Sequence, residues 1–238
     1  MRKLAKSTPP IFYPDSDGLP MAENTLQFRW IVTLVGGLQH VFAKDPQVFV
    51  AGDLFWYPVE GDNQTRLAPD ALVVFGRPKG ERGSYRQWEE GGIAPQVVFE
   101  VLSPGNTTAE MRHKLAFYEN YGVEEYYLYD PDHGRLQGWR RQLGRLREIA
   151  EMRGWESPRL KVRFDLDGVD LCLGGPDGRR FENYPEVALR ADTAEQRADT
   201  EAQARQAAEQ RAGVAEQRVI ALEAELARLR ALLEKPVA

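Results

Sequence analysis

A carboxylate stands inside a nearly unbroken apolar run of the chain. Glu100 lies within QVVFEVL, residues 96–102, a pattern that predicts a β-strand covered on both faces. Period-two alternation puts Val98, Glu100 and Leu102 on one face of that strand. A buried carboxylate is costly unless it is ion-paired, protonated or bound to a metal. Glu100 is therefore a candidate for chemistry, and a structural ion pair is the plain alternative.

Two further residues give Glu100 a chemical context. Asp70 directly precedes the predicted strand 71–75, so two carboxylates on neighbouring strands could share a hard divalent cation. Lys114 lies on the inward side of the helix predicted after the Glu100 strand, from which its amine can reach toward Glu100. For Lys114 alone, a pair with Glu110 at i,i+4 is the simpler explanation.

An Asp, a Glu and an inward Lys form a set with a chemical use. Two carboxylates can hold Mg²⁺ or Mn²⁺, and the metal polarises a phosphodiester and lowers the pKa of a bound water. The lysine can orient that water or stabilise the charge that develops on the phosphate. The three residues together indicate a metal-dependent phosphodiesterase.

The elements that must position these residues predict an α/β fold. A helix opens at a capping box formed by Thr107 and Glu110 and ends at Gly122, and a strand follows at 124–130. A strand, a crossover of about 15 residues and a second strand favour a parallel pair. The other predicted elements are a helix over 21–43 and strands at 48–51, 54–57, 71–75, 136–140 and 146–150.

A long glycine-rich and charged loop spans residues 76–95, and loops of this length in compact domains are often functional. Tyr85 and Trp88 lie among its basic residues, so the loop could contact a phosphate backbone and stack on bases. The acidic residues of the loop reduce its net positive charge, so the sequence does not decide whether the loop contacts nucleic acid. The candidate contact residues are Arg77, Lys79, Arg82 and Arg86.

The aromatic residues end abruptly near the carboxyl-terminal quarter of the chain. All five Trp, nine Tyr and ten Phe precede Val187, so the core is predicted to end there. We expect an irregular leader over 1–20, an α/β domain over 21–186 and a separate helical segment over 187–238.

The helical segment repeats Ala-Glu-Gln-Arg at 194–197, 208–211 and 215–218, which is heptad spacing. The resulting apolar positions predict a coiled coil through residues 191–233 that makes the protein at least a dimer; a solvated single helix is the alternative. These positions are Ala215, Val219, Leu222, Leu226, Leu229 and Leu233. The residues at g are Arg211, Arg218 and Glu225, and those at the following e are Glu216, Glu223 and Arg230, so each g-to-e pair has opposite signs.

Composition excludes several classes of protein. The net charge of −5 argues against a histone-like DNA binder, and the single cysteine, Cys172, suggests a reducing, cytoplasmic compartment. The amino-terminal MRKLAKSTPP lacks the apolar region of a signal peptide, and no run approaches the length of a membrane span. The lack of a membrane-spanning run predicts no membrane partner. No P-loop or Rossmann string is present, so we expect no nucleotide cofactor.

Several strings together resemble a known family. PDALVVF (69–75), QVVFEVLSPGN (96–106) and YGVEEYYLYDP (121–131), with the spaced Lys114, resemble the Uma-type restriction endonucleases, a bacterial branch of the PD-(D/E)xK nucleases. The resemblance is strongest from Pro69 to Pro131. It implies a restriction-endonuclease-like α/β/α core with a mixed central sheet, and metal carboxylates at the positions of the Asp and Glu described above.

The chain departs from the superfamily pattern at one position. That pattern has a lysine two residues after the acidic residue, and here Leu102 occupies this place. In the Uma-type branch the lysine looks to have moved to the next helix, where Lys114 lies. Related cores also take an acidic or amide residue from the first helix, which makes Gln27, with Glu23 nearby, a candidate outer member of the site.

These observations lead to a main hypothesis and two alternatives. The main one is an endonuclease that hydrolyses DNA with Mg²⁺ or Mn²⁺ held by Asp70 and Glu100 and with Lys114 as a helper, working as a homodimer. The first alternative is a catalytically inactive nuclease-like fold that acts as a binding or scaffolding module. The second is a hydrolase that uses the two carboxylates as an acid and a base without metal.

Overall fold

A computed structural model of the protein describes residues 11–16, 18 and 22–233. The predicted leader over 1–20 therefore lies largely outside the described residues. The chain divides into two compact units, the first ending at Asn183 and the second beginning at Tyr184.

The described part of the first unit contains two helices and ten strands. In chain order they are α1 (Thr25–Val41), β1 (Val48–Ala51), β2 (Trp56–Tyr57), β3 (Ala71–Phe75), β4 (Tyr85–Arg86), β5 (Val97–Val101), α2 (Thr108–Tyr121), β6 (Glu125–Asp130), β7 (Arg135–Gln142), β8 (Arg145–Glu148), β9 (Arg163–Asp167) and β10 (Asp170–Gly174). The second unit is a single helix, α3 (Tyr184–Leu233).

A six-stranded sheet in the order β1-β3-β5-β6-β7-β8 forms the centre of the first unit. The pair β5 and β6 is parallel, and α2 is the crossover between the two strands. The other neighbours in this sheet are antiparallel. The prediction of an α/β fold with a mixed central sheet and a long carboxyl-terminal helix is confirmed.

Each face of the sheet packs against its own cover. On one face, α1 and the β9–β10 hairpin bury a core that includes Leu34, Phe99 and Phe164. On the other face, α2 and the small parallel pair β2–β4 bury a second core that includes Val98 and Tyr118. The alternation of side chains along β5 thus supplies both cores, because successive residues of a strand point to opposite faces.

Helix α2 begins and ends as its sequence predicts. The Thr107 side chain accepts a hydrogen bond from the Glu110 backbone N–H, and the Glu110 carboxylate accepts one from the Thr107 N–H. Gly122 ends the helix in the left-handed region at φ +102°, which a residue with a Cβ rarely adopts. These signals fix where α2 starts above the end of β5, and hence which of its side chains can reach Glu100.

Helix α3 is 50 residues long, which corresponds to about 75 Å at 1.5 Å per residue. Its heptad residues Val219, Leu222, Leu226 and Leu229 are each more than half exposed in the single chain. None of the helices in the described part of the chain combines the length and the apolar character of a membrane span.

Candidate active site

The two carboxylates lie side by side because of the β3–β5 register. Ala71 pairs with Phe99 in this antiparallel pair, so the same register, continued by one residue, sets Asp70 across from Glu100. Residues directly opposite in such a pair share a face of the sheet. Both are buried, with Asp70 8% and Glu100 2% exposed. Two acidic groups thus lie together under α2.

Both oxygens of Glu100 accept hydrogen bonds from α2. The Nζ of Lys114 lies 2.8 Å from Oε2, and the hydroxyl of Tyr118 donates a short hydrogen bond to Oε1. The two donors are one helical turn apart, so they lie on the same face of α2. The carboxylate is therefore held by one cationic and one neutral donor.

Burial beside Glu100 favours the protonated form of Asp70. Its Oδ2 accepts a hydrogen bond of 2.6 Å from the backbone N–H of Val101. Burial, and then the negative charge of Glu100, raise the pKa of Asp70 well above its ordinary value, although the Val101 N–H and Lys114 partly oppose this. One lysine does not neutralise two ionised carboxylates in a buried site, and either a proton on Asp70 or a bound cation would relieve their repulsion.

Lys114 is both a helix-pair residue and a site residue. Its Nζ lies 3.9 Å from Glu110 but only 2.8 Å from Glu100, so the contact across to β5 is the closer one. Burial alone would lower the pKa of Lys114, but the charge of Glu100 and the hydrogen bond to it outweigh that effect and raise the pKa. Lys114 is therefore a stable ammonium group here.

Gln27 reaches the site through the backbone. Its side-chain amide donates to the carbonyl of Val101 at 3.0 Å, while its own carbonyl accepts from the N–H of Glu23 at 2.9 Å. Asn24, the N-cap of α1, accepts from the Gln27 backbone N–H and so fixes the start of the helix. Both backbone groups of Val101 are thus occupied, one by Asp70 and one by Gln27, which secures the end of β5 beside Glu100.

Tyr118 is the site residue that the sequence reasoning missed. Its spacing of four residues from Lys114 predicts only that it lies on the same inward side of the helix. The available signal is that a buried tyrosine hydroxyl usually has a hydrogen-bond partner, and Tyr118 follows Lys114 by one turn. Burial, and then the charge of Glu100, raise the pKa of Tyr118 well above its ordinary value. Its hydroxyl is therefore a donor to the carboxylate.

The long loop 76–95 supports the aromatic residue that packs against Tyr118. Its β4 segment pairs with β2, and the side chain of Gln87 accepts a hydrogen bond of 3.0 Å from the indole N–H of Trp56. The Trp56 ring lies parallel to that of Tyr118, with an interplanar angle of 2° and centroids 6.4 Å apart. The loop thereby fixes the position of the Tyr118 ring.

The basic residues of this loop have partners within the protein. Arg77 and Arg82 both form ion pairs with Glu90, at 3.2 and 2.6 Å. The Lys79 amine donates to the carbonyls of Phe42 and Ala43 at 2.6 and 2.7 Å. The Arg86 guanidinium lies 3.4 Å from Glu89 and over the ring of Tyr13. These contacts hold the loop in place, and nucleic-acid contact by the four residues stays a prediction.

The carboxylate pair has the chemistry of a magnesium site with few protein ligands. Mg²⁺ prefers oxygen ligands and often takes one or two carboxylates, with waters and substrate phosphates completing the octahedron. Asp70 and Glu100 supply that donor set, and a bound cation would take the place of the proton that the raised pKa of Asp70 favours. Within the described ranges, no group of three or more His, Cys, Asp or Glu residues could hold a metal ion. The residues present therefore fit a lightly coordinated hard cation.

A family model matches residues 19–166 of the chain, a range that contains every member of this site. The family is Uma2, described as "Putative restriction endonuclease". Similar solved structures include that of a "putative nuclease belonging to DUF820" from Anabaena variabilis, with 18% sequence identity and a TM-score of 0.43. That similarity covers 58% of this chain and 74% of the other. No curated protein matches the sequence.

Proposed function

This chain belongs to the Uma2 family, and on that premise we propose that it is a metal-dependent endonuclease that hydrolyses phosphodiester bonds in DNA. The observation that carries the proposal is the buried pair of Asp70 and Glu100 with the Lys114 amine 2.8 Å from the latter. Two carboxylates that can hold a divalent cation, with an ammonium group beside them, fit metal-assisted phosphoryl chemistry.

Asp70 and Glu100 would hold Mg²⁺ or Mn²⁺. When bound, the metal supplies a Lewis acid for the phosphate and lowers the pKa of a bound water. The two carboxylates provide the ligand oxygens and the negative charge that retains the cation. Their shared face of the sheet and their burial keep these oxygens in fixed positions, so little reorganisation is needed when charge develops on the substrate.

In this proposal Lys114 supplies a positive charge that stabilises the transition state. Because the pKa of Lys114 is raised, the amine stays protonated at neutral pH and cannot serve as a general base in this arrangement. An ammonium group can instead orient the attacking water or stabilise the negative charge that grows on the phosphate oxygens. Lys114 is 16% exposed, so its amine lies at the boundary between the buried pair and solvent.

Plasmid cleavage tests the proposal. Supercoiled plasmid is incubated with purified protein in Mg²⁺, in Mn²⁺ and in excess chelator, and the nicked and linear forms are quantified. We expect cleavage with either metal and none in chelator. Cleavage that persists in chelator would instead favour an acid and base pair without metal.

One observation favours a non-catalytic alternative. Both oxygens of Glu100 already have protein donors, as a purely structural ion pair would. A nuclease-like fold with such a pair could serve as a scaffold whose long helix recruits partners. This alternative predicts no saturable binding of Mn²⁺ and no cleavage under any metal condition.

We also propose that α3 pairs with the same helix of a second copy. The exposed apolar positions follow the heptad spacing, and exposed apolar stripes of this kind on a long helix are typical of coiled coils. In a parallel pair, g residues meet the following e residues of the other helix, and Arg211–Glu216, Arg218–Glu223 and Glu225–Arg230 each have opposite charges. Two nuclease units in one dimer would suit cleavage of both DNA strands.

A substitution at an apolar heptad position of α3 should dissociate the proposed dimer. Leu226→Lys places a charge at an a position and is expected to give a monomer by size-exclusion chromatography with light scattering, whereas the wild-type protein is expected to be a dimer. Ile220→Lys is the matched control, because Ile220 is similarly exposed, 60% against 54%, but lies at position b. Equal behaviour of both variants would contradict the coiled coil and favour a solvated single helix.

A further inference from the structure

Tyr118 and Lys114 hold Glu100 in different ways. The Tyr118 hydroxyl donates to Oε1 from a side chain with no exposed surface, and Lys114 donates to Oε2 from a side chain that is 16% exposed. We infer that Tyr118 is a positioning residue for Glu100: it fixes Oε1, so that Oε2 is the oxygen for which Lys114 and a divalent cation compete. The inference rests on the proposed metal-dependent function and names the residue that prepares the ligand.

The ring of Tyr118 cannot move without disturbing its neighbours. It lies parallel to Trp56, edge-on to Phe117 with centroids 5.9 Å apart, and against Tyr126 at 5.1 Å. Trp56 is itself completely buried and tied to Gln87. Interiors packed in this way allow few alternative positions for a ring, so the hydroxyl stays on Oε1.

Lys114 has freedom that Tyr118 lacks. Its ammonium group has three N–H donors and a long flexible stem, and a second acceptor, Glu110, lies 3.9 Å away. Lys114 can therefore leave Oε2 and keep an acidic partner. Tyr118 thus keeps its hydrogen bond to Oε1, whereas a cation can replace Lys114 at Oε2.

The hydrogen bond to Oε1 matters because a metal-binding carboxylate can rotate when no neighbouring group donates a hydrogen bond to it. Outer partners that orient a ligating group typically contribute 10- to 100-fold to metal affinity or activity. Gln27 acts on the backbone beside Glu100, whereas Tyr118 acts on the carboxylate itself. Tyr118 is therefore the residue whose loss should affect metal affinity without removing a charge.

The chain provides a matched control in Tyr126. This residue packs against Tyr118 in the same core, is completely buried, and has a hydroxyl with no hydrogen-bond partner within the described part of the chain. Tyr126→Phe removes the same atom from the same region as Tyr118→Phe. Only the latter removes a hydrogen bond to Glu100.

Manganese affinity measured by electron paramagnetic resonance tests the inference. Wild-type protein, Tyr118→Phe and Tyr126→Phe are titrated with Mn²⁺ after near-UV circular dichroism has established that each is folded. We expect about tenfold weaker binding for Tyr118→Phe and wild-type affinity for Tyr126→Phe. Unchanged affinity in Tyr118→Phe, or an equal loss in both variants, would overturn the positioning role.

The outcomes separate this inference from the proposed function. Absence of Mn²⁺ binding by the wild-type protein would overturn both together, while wild-type binding with an unaffected Tyr118→Phe variant overturns the positioning role alone. If Tyr118→Phe does not fold, the hydroxyl proton of Tyr118 in the wild-type protein is followed by NMR with labelled tyrosine. It is expected at low field and should shift when diamagnetic Mg²⁺ is added; no shift would contradict the inference.

Discussion

Glu100→Gln is expected to lower metal-dependent plasmid cleavage by at least about a hundredfold, since loss of even an outer partner of a metal ligand costs 10- to 100-fold. Glutamine has the shape of glutamate, its carbonyl can accept from Lys114, and its amide can donate to the oxygen of Tyr118. The variant therefore keeps the packing under α2 and removes the negative charge that a cation requires. Cleavage rates at saturating Mg²⁺ provide the measurement.

Glu125→Gln is the matched control for this prediction. Glu125 is the other buried glutamate of the central sheet, also 2% exposed, on the neighbouring strand β6. It accepts hydrogen bonds from Ser157, Tyr127 and the Arg159 backbone N–H. We expect Glu125→Gln to retain cleavage in its folded fraction. If both variants lost activity equally, the loss would reflect a general effect of neutralising a buried glutamate, and Glu100 would have no special role.

Lys114→Met is expected to lower both stability and activity. Removal of the amine leaves Glu100 buried with a single neutral donor, and breaking a buried ion pair on one side costs about 3 kcal/mol of unfolding free energy. Loss of the Lys114 ammonium group, which is positioned to stabilise negative charge on the phosphate, should also lower the cleavage rate by about a hundredfold in the folded protein. Urea unfolding measures the first effect, and cleavage at saturating Mg²⁺ measures the second.

Glu110→Gln shows which partner of Lys114 matters. It removes the i,i+4 pair on α2 and leaves the contact with Glu100 in place, so we expect a loss of only about 0.2 to 0.5 kcal/mol and little change in rate. Similar small losses in stability from both variants, with cleavage intact, would mean that Lys114 serves the helix and has no function at the carboxylate pair.

Local patterns in the sequence predict the individual helix and strand that carry Lys114 and Glu100. Apolar alternation identifies β5 and the burial of Glu100, and the capping box and Gly122 locate α2. Both features depend on neighbours within a few residues, which is the range that sequence patterns report. The helical stripe likewise places Lys114 inward, where it contacts Glu100.

The partners of these residues depend on tertiary register. Nothing local indicates that Tyr118 meets Oε1 of Glu100, because this follows from how α2 lies across β5. Similarly, the ion pairs of Arg77 and Arg82 with Glu90 follow from how the loop folds, and no local pattern indicates them. The strands β9 and β10 are not among those predicted from the sequence, because each has only five residues and a run of that length gives a weak periodic signal.

The proposed nuclease activity requires that the Asp70–Glu100 pair bind a divalent cation. Isothermal titration with Mn²⁺ tests this most directly when wild-type protein is compared with Asp70→Asn, which keeps the side-chain shape and removes the charge. We predict saturable binding by the wild-type protein and none by the variant. No saturable binding by the wild-type protein, or equal binding by both proteins, would contradict the proposed metal site.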